Sequence, residues 1–192
     1  MKLALPPQPI LLPSPVLVVG TYGLDGKPNI MTAAWGGIAC SKPPCISVSL
    51  REATLTYHNI IQAGAFTVNI PSEKYFKEAD YVGMMPGKTF DKFKDTGLTP
   101  TRSKLVNAPI VEEFPYALEC KLVRQVELGL HTMFVGEILG MVADGDVLSP
   151  TQLPDIEKVR PIVWGSFGTM AYHSVGAKLG NAFSVGKELK KN

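Results

Sequence analysis

The 192-residue sequence has few of the residues from which many catalytic and metal sites are built. It contains three cysteines and three histidines, and neither set has the spacing that a zinc site requires. It has no P-loop, no glycine-rich dinucleotide fingerprint after a strand and no G-x-S-x-G nucleophile elbow. These absences give no support to nucleotide hydrolysis, Rossmann-type cofactor binding or serine-hydrolase chemistry.

The sequence also lacks strong charge and long apolar runs. The formal net charge is +2, and the basic residues are scattered except near the C-terminus, so we expect no nucleic-acid partner. The N-terminal segment is broken repeatedly by proline, which argues against a secretory signal, and no segment approaches the roughly 20 apolar residues of a membrane span. We therefore expect a cytoplasmic protein without membrane contact, and an odd number of cysteines without paired spacing agrees with a reducing compartment.

What the sequence does contain is typical of one folded domain. Apolar residues make up 45% and charged residues 19% of the chain, and no linker or repeat divides it. We predict a core over residues 15–165 and a loosely structured C-terminal arm over 166–192. The three cysteines are predicted to be buried apolar residues, although a redox role for Cys40 or Cys45 beside a bound cofactor stays open.

Strand signals dominate the pattern. A β-meander is predicted from strands at 15–22, 28–35 and 44–50, the first two joined by an Asp-Gly turn. A helix capped by Thr54 or Thr56 and a second helix beginning at Ser72 are predicted between further strands. Further predicted features are strands at 65–70, 116–128, 132–143 and 162–165, and a long excursion over 83–109 with one helical turn. The fold class predicted is mainly β with minor α, a closed or nearly closed antiparallel barrel with short flanking helices.

Three segments carry the chemistry. Small residues after Asn29, from Ala33 to Gly37, would let a flat molecule approach the backbone. Arg51, with nearby hydroxyl residues at the start of a helix, is typical of an anion site. A third segment at 83–93 adds lysine and methionine.

The order of these motifs resembles the flavin reductase-like family, whose members have an FMN-binding split barrel, and within it the flavoredoxin group. The resemblance covers residues 15–165 and rests on Asn29-x-Met31-Thr32-x-Ala34-Trp35, Pro43-Pro44, Ser49-x-Arg51-x-x-Thr54-x-Thr56, Phe66-x-Val68-Asn69 and Asp91-Lys92-Phe93. It implies a Greek-key split barrel, FMN as cofactor and a homodimer.

The resemblance also implies roles for particular residues. The backbone of residues 31–35 would face the pyrimidine edge of the flavin, and a group of polar residues would hold the ribityl chain and phosphate. His131 and Trp164 would lie near the ring, in part across the dimer. The complete set implied as cofactor-binding is Asn29, Met31, Thr32, Ala33, Ala34, Trp35, Ser49, Leu50, Arg51, Thr54, Thr56, Lys92, His131 and Trp164; no catalytic residue and no metal ligand is implied.

Each of these residues also has an ordinary interpretation. Trp35 could be a core aromatic, Arg51 a solvated charge and His131 an idle turn residue. Three functions therefore stay open: an FMN electron carrier served by a ferredoxin-like partner, an NAD(P)H-dependent flavin or ferric reductase, and a split-barrel module for another flat ligand such as haem.

Overall fold

A computed structural model describes residues 1–190, and a curled antiparallel sheet organises most of them. Twelve strands and five α-helices follow one another along these residues, together with short 3-10 turns. The strands are β1 (Ser14–Pro15), β2 (Leu17–Tyr22), β3 (Pro28–Ala33), β4 (Gly36–Ser41), β5 (Pro44–Leu50), β6 (Ala65–Ile70), β7 (Pro100–Arg102), β8 (Pro109–Val111), β9 (Tyr116–Glu127), β10 (Thr132–Ala143), β11 (Ile162–Trp164) and β12 (Tyr172–Ser174). The helices are α1 (Leu55–Ala63), α2 (Phe76–Met84), α3 (Lys92–Thr96), α4 (Ile156–Val159) and α5 (Ser166–Thr169).

The main sheet has seven strands in the order β3-β2-β6-β9-β10-β5-β4. Its two edge strands, β3 and β4, are separated in the chain only by Ala34 and Trp35. A link of this length spans at most about 11 Å between the last residue of β3 and the first of β4, so the end of one edge strand lies close to the start of the other. The sheet therefore curls into a barrel that is split between β3 and β4.

The predicted β-barrel class is confirmed, but the predicted meander is wrong. The hairpin of β2 and β3 forms as expected around the Asp-Gly turn. The predicted return strand, however, ends at Ala33, and residues 36–41 form β4, which no signal in the sequence analysis had indicated. Strand β5 pairs with β4 and β10 rather than with β3. The long-range pairing with β10 decides this topology, and local patterns do not contain it.

Two helix predictions concern the site directly. Helix α1 begins where the sequence predicts, and Thr54 rather than Thr56 is its cap, since the Thr54 hydroxyl accepts a hydrogen bond from the amide of Tyr57. Gly64 ends this helix in the left-handed conformation, at a φ of 61°. The second predicted helix begins as a 3-10 turn at Glu73 and becomes α-helical at Phe76.

The core lies on both sides of β2. Leu17 and Val19 point into the barrel, where they join a cluster that includes Phe66 and Phe134. Val18 points the other way and packs with residues of α2 and α3 in a second cluster. Burial on both faces explains why β2 reads as a continuous apolar run, and it places α2 and α3 against the outside of the split edge.

The predicted C-terminal arm begins later than expected. Residues 166–169 form α5, and β12 pairs with β11, which pairs in turn with β1 in a three-stranded sheet. The long excursion over 83–109 does carry a helical turn, α3, and also β7. Among the helices of residues 1–190, none is long and apolar enough to cross a bilayer.

Candidate functional site

A cleft opens where the barrel is split. It has a volume of about 200 Å³, and we call it the seam cleft. Its floor is the end of β3 with the two-residue link, and its walls come from β5, the segment before α1, and the turn between β9 and β10. Its lining residues are Met31, Thr32, Ala33, Ala34, Trp35, Ser49, Leu50, Arg51, Thr54, His131 and Trp164.

A second cavity of about 290 Å³ continues from the seam cleft, and we call it the anion pocket. The two share Met31, Arg51 and Thr54 as lining residues. The anion pocket is lined by Asn29, Met31, Arg51, Ala53, Thr54, Leu55, Thr56, Gly83, Met84, Met85, Pro86, Gly87, Lys88 and Lys92. All fourteen residues singled out in the sequence analysis thus line one of these two cavities, although they come from five separate parts of the chain.

The charged side chains that line the anion pocket are all positive. Its lining includes three cationic side chains, Arg51, Lys88 and Lys92, and no carboxylate. The N-terminus of α1 opens into it, and the first amides of a helix have no acceptor within the helix. Thr54 takes the amide of Tyr57, which leaves those of Leu55 and Thr56 for a ligand or water. Helix dipole and cations therefore act in the same direction.

Arg51 is available to an external anion. Its side chain is exposed, and among residues 1–190 the ion pair found joins Arg160 to Glu73, neither of which lines this pocket. Lys88 is a third cation of the pocket, and it lies in the segment 83–93 that the sequence analysis singled out, although it was not among the residues implied as cofactor-binding.

Lys92 has a structural task that its sequence position did not reveal. The residue is only 4% exposed, and its ammonium donates to the carbonyl oxygens of Ile30, at 2.9 Å, and Val82, at 2.7 Å. These bonds tie α3 to β3 and to α2. Burial lowers the pKa of Lys92 to about 8, so its proton is held less tightly than that of an ordinary lysine. Two of its three donors are used, and one remains for the pocket.

Three other predicted residues use their side chains to build the site. Asn29 donates to the Thr56 hydroxyl at 2.9 Å, and both side chains are buried. Gly87 lies so close to the side-chain Oδ1 of Asn29 that a Cβ at position 87 would overlap it. The Thr32 hydroxyl donates to the Ala79 carbonyl and joins β3 to α2. The walls of both cavities are therefore fixed by hydrogen bonds within the protein.

The floor of the seam cleft is a free strand edge. Strand β3 pairs with β2 on one side only, so the backbone amide and carbonyl groups on its other side have no strand partner. The Trp35 carbonyl accepts from the Ser49 amide at 2.8 Å, which fixes the link across the end of β5. A flat ligand with alternating donors and acceptors along one edge could pair with this backbone.

Aromatic rings surround the open end of the cleft. The rings of Trp35 and His131 lie 4.6 Å apart between centroids, and Phe167 stands edge-on to both Trp35, at 6.3 Å, and Trp164, at 5.3 Å. Sequence reasoning missed Phe167, because it lies outside the predicted core and beyond the region of resemblance. These rings offer apolar contact to a planar ligand.

Electrostatics at the same end affect His131. Partial burial, and then the positive charge of Arg51, lower the pKa of His131 below its ordinary value. The imidazole is therefore mostly neutral at neutral pH, and it can donate and accept hydrogen bonds without adding charge to the cleft.

The chain belongs to a known family. Residues 11–165 match the family model described as the flavin reductase like domain, and this match covers most of the chain. The family and its solved members support a flavin as the cofactor of this fold.

Two solved structures are similar over almost the whole length. The flavoredoxin of Desulfovibrio vulgaris (Miyazaki F) is 48% identical and has a TM-score of 0.92, with 97% of this chain and 100% of that chain covered. The flavoredoxin from Methanosarcina acetivorans is 29% identical with a TM-score of 0.91, covering 99% of this chain and 100% of that one. Among curated relatives, a ferric-chelate reductase of Archaeoglobus fulgidus is 26% identical over 57% of this chain and 65% of its own length.

The coupling between Arg51 and His131 gives a direct prediction. Replacing Arg51 with leucine should raise the pKa of His131 toward its ordinary value, because one cause of its lowering is removed while burial remains. A proton NMR titration of the His131 ring in the flavin-free protein measures this change. Arg102→Leu is the control. Arg102 lies in β7 and lines neither cavity, so this variant should leave the His131 titration unaltered. An unchanged His131 titration in the Arg51 variant would contradict the assigned geometry.

Proposed function

We propose that this protein binds one FMN molecule across the seam cleft and the anion pocket and transfers electrons through it. The observation that carries the proposal is that one continuous groove offers a free strand edge at one end and a carboxylate-free cationic corner at the other. A riboflavin phosphate has the matching parts, a ring edge with alternating donors and acceptors and a dianionic phosphate.

The phosphate would lie at the N-terminus of α1. The free amides there and the Arg51 guanidinium supply charge-assisted donors, and Lys88 adds charge at the rim. The Thr54 hydroxyl already accepts from Tyr57 and donates to the Arg51 carbonyl, so its part is to hold this corner in shape.

The ring system would lie along residues 31–35. Bound there, the flavin supplies the hydride and single-electron chemistry, which protein side chains do not provide. The backbone of β3 orients its pyrimidine edge, while Trp35 and Met31 limit the access of water. Positive charge from Lys92 and Arg51, together with backbone dipoles, would favour the more negative reduced form and raise the reduction potential.

The electron-carrier role is favoured over the nicotinamide-dependent one. Its support is the 48% identity to a flavoredoxin over nearly the full chain, against the weaker likeness to a ferric-chelate reductase. The second candidate keeps its own support, because an open aromatic mouth at Trp35 and Phe167 could also admit a nicotinamide ring. A haem-binding role has less support, since the chain belongs to a flavin family.

We further propose that the protein acts as a cytoplasmic homodimer, with a two-fold interface near the two cofactor sites. Apolar side chains on the termini support this idea, since Leu11, Phe167, Met170 and Phe183 are all exposed in the single chain. A sedimentation experiment should give the mass of two chains. A monomer that still binds FMN tightly would contradict the dimer while leaving the cofactor proposal intact.

Removing the guanidinium tests the phosphate position. Arg51→Ala should weaken FMN binding by about 1–3 kcal/mol, because a charge-assisted hydrogen bond to the phosphate is lost. Quenching of flavin fluorescence during titration measures the dissociation constant. Lys27→Ala, at the tip of the β2–β3 hairpin, removes an exposed positive charge away from both cavities and should leave affinity unchanged. Equal affinity of the Arg51 variant and the parent would place the phosphate elsewhere.

Rapid kinetics can distinguish the two candidate electron donors, a reduced ferredoxin and a nicotinamide. With FMN bound, we expect fast bleaching of the flavin absorbance by a reduced ferredoxin and slow bleaching by NADH or NADPH, because the 48% identity to a flavoredoxin favours the carrier role. Anaerobic stopped-flow absorbance measures both rates. Fast reduction by a nicotinamide and none by ferredoxin would favour the reductase function instead.

A further inference from the structure

Two of the three cysteines face each other across the β4–β5 hairpin. Cys40 of β4 and Cys45 of β5 are directly opposite in the antiparallel register, next to the turn that joins the strands. Directly opposite residues in such a pair have Cα atoms about 4.5–5.5 Å apart. This separation lies within the range of about 4.4–6.8 Å that a disulfide spans without movement of the backbone.

The two thiols differ in accessibility. Cys40 is exposed on the outermost strand of the sheet, and its thiol is 3.4 Å from the Lys42 carbonyl, to which it donates. Cys45 is only 6% exposed. Burial raises the pKa of the Cys45 thiol, and the neighbouring Cys40 and Glu137 raise it further. An external reagent therefore meets Cys40 first, and Cys45 lies behind it. The prediction of three buried cysteines is thus wrong for Cys40.

The third cysteine provides an internal contrast. Cys120 lies on β9 inside the barrel core with no exposed surface, and burial chiefly raises its pKa to about 12. A thiol in such surroundings does not ionise at neutral pH and cannot be reached by a reagent. Cys45 is close enough to raise the pKa of Cys120 further, but Cys120 has no exposed surface, so the reactivity of the hairpin pair can be measured against it.

The place of the hairpin in the sheet also favours reaction. Strand β4 is the last strand of the sheet and pairs with β5 alone, so its outer side is open to an approaching molecule. An irregularity between Ile38 and Cys40 interrupts the ladder next to the cysteine and gives the strand room to adjust. Neither cysteine lines the seam cleft or the anion pocket.

We propose that Cys40 and Cys45 form a redox-active dithiol pair that exchanges with disulfide substrates of the glutathione class. The Cys40 thiolate attacks one sulfur of the substrate, a mixed disulfide forms, and the first thiol leaves with a proton from water. The Cys45 thiol then loses its proton and attacks the Cys40 sulfur, which displaces the second thiol. The protein loses two electrons and two protons, and the substrate disulfide is reduced to two thiols.

This reaction matches the arrangement that redox-responsive cysteines use, an accessible thiol beside a resolving one. In a reducing compartment such a disulfide would be transient rather than structural. The pair would therefore respond to the ratio of disulfide to thiol around the protein, independently of whether a flavin is bound.

Thiol counting tests the proposal without any flavin measurement. The reduced full-length protein is equilibrated with mixtures of reduced and oxidised glutathione, quenched with acid, denatured and alkylated, and its intact mass is recorded. We expect two alkylatable thiols to disappear together, with one remaining and no glutathione attached. Peptide mapping should identify the link as Cys40 to Cys45 within one chain.

Single substitutions assign each step. Cys45→Ser should trap one glutathione on Cys40, because the resolving thiol is gone, whereas Cys40→Ser should stay reduced. Cys120→Ala is the matched control and should behave like the parent. Three alkylatable thiols at every ratio, a glutathione adduct that persists on Cys40 in the parent, or a disulfide between two chains would each overturn the proposal.

Discussion

The structure depends on one short covalent constraint, the two residues that join the edge strands of its main sheet. Because Ala34 and Trp35 alone connect β3 to β4, the sheet must curl until the end of one edge strand lies close to the start of the other. The edges do not pair, so the curl leaves a split, and the free backbone of β3 faces it. A site thus arises from topology before any side chain is considered.

Positive charge is then concentrated at one end of this split. Arg51 follows β5 and precedes α1, so the same chain reversal that carries a strand into a helix places a cation at the helix N-terminus. Lys92 holds β3 and α2 together from behind through its two backbone bonds, although burial lowers its pKa. Lys92 therefore belongs both to the hydrogen-bonded frame and to the cationic lining of the anion pocket. The aromatic rings lie at the other end, at the opening of the seam cleft.

Local patterns predicted much of this. The β2–β3 hairpin, α1 with a threonine cap, and strands 65–70 and 132–143 follow from turn residues, capping and alternation. Strand β4 escaped prediction because its Gly36-Gly37 start has little strand propensity, and its place depends on pairing with β5.

At the site, the predicted residues do converge, whereas the internal bonds of Lys92 and Asn29 and the approach of Phe167 depend on contacts between distant segments. No local signal contains such contacts, so the sequence indicated which residues gather at the site but not what most of them bond to.

The most direct measurement of the central claim compares FMN with riboflavin by titration calorimetry on flavin-free protein. The two ligands share the ring and differ in the phosphate, so the account predicts that riboflavin binds at least about tenfold more weakly, a difference of about 1.4 kcal/mol or more. Equal affinities, or no uptake of either ligand by folded protein, would contradict a phosphate held at the start of α1.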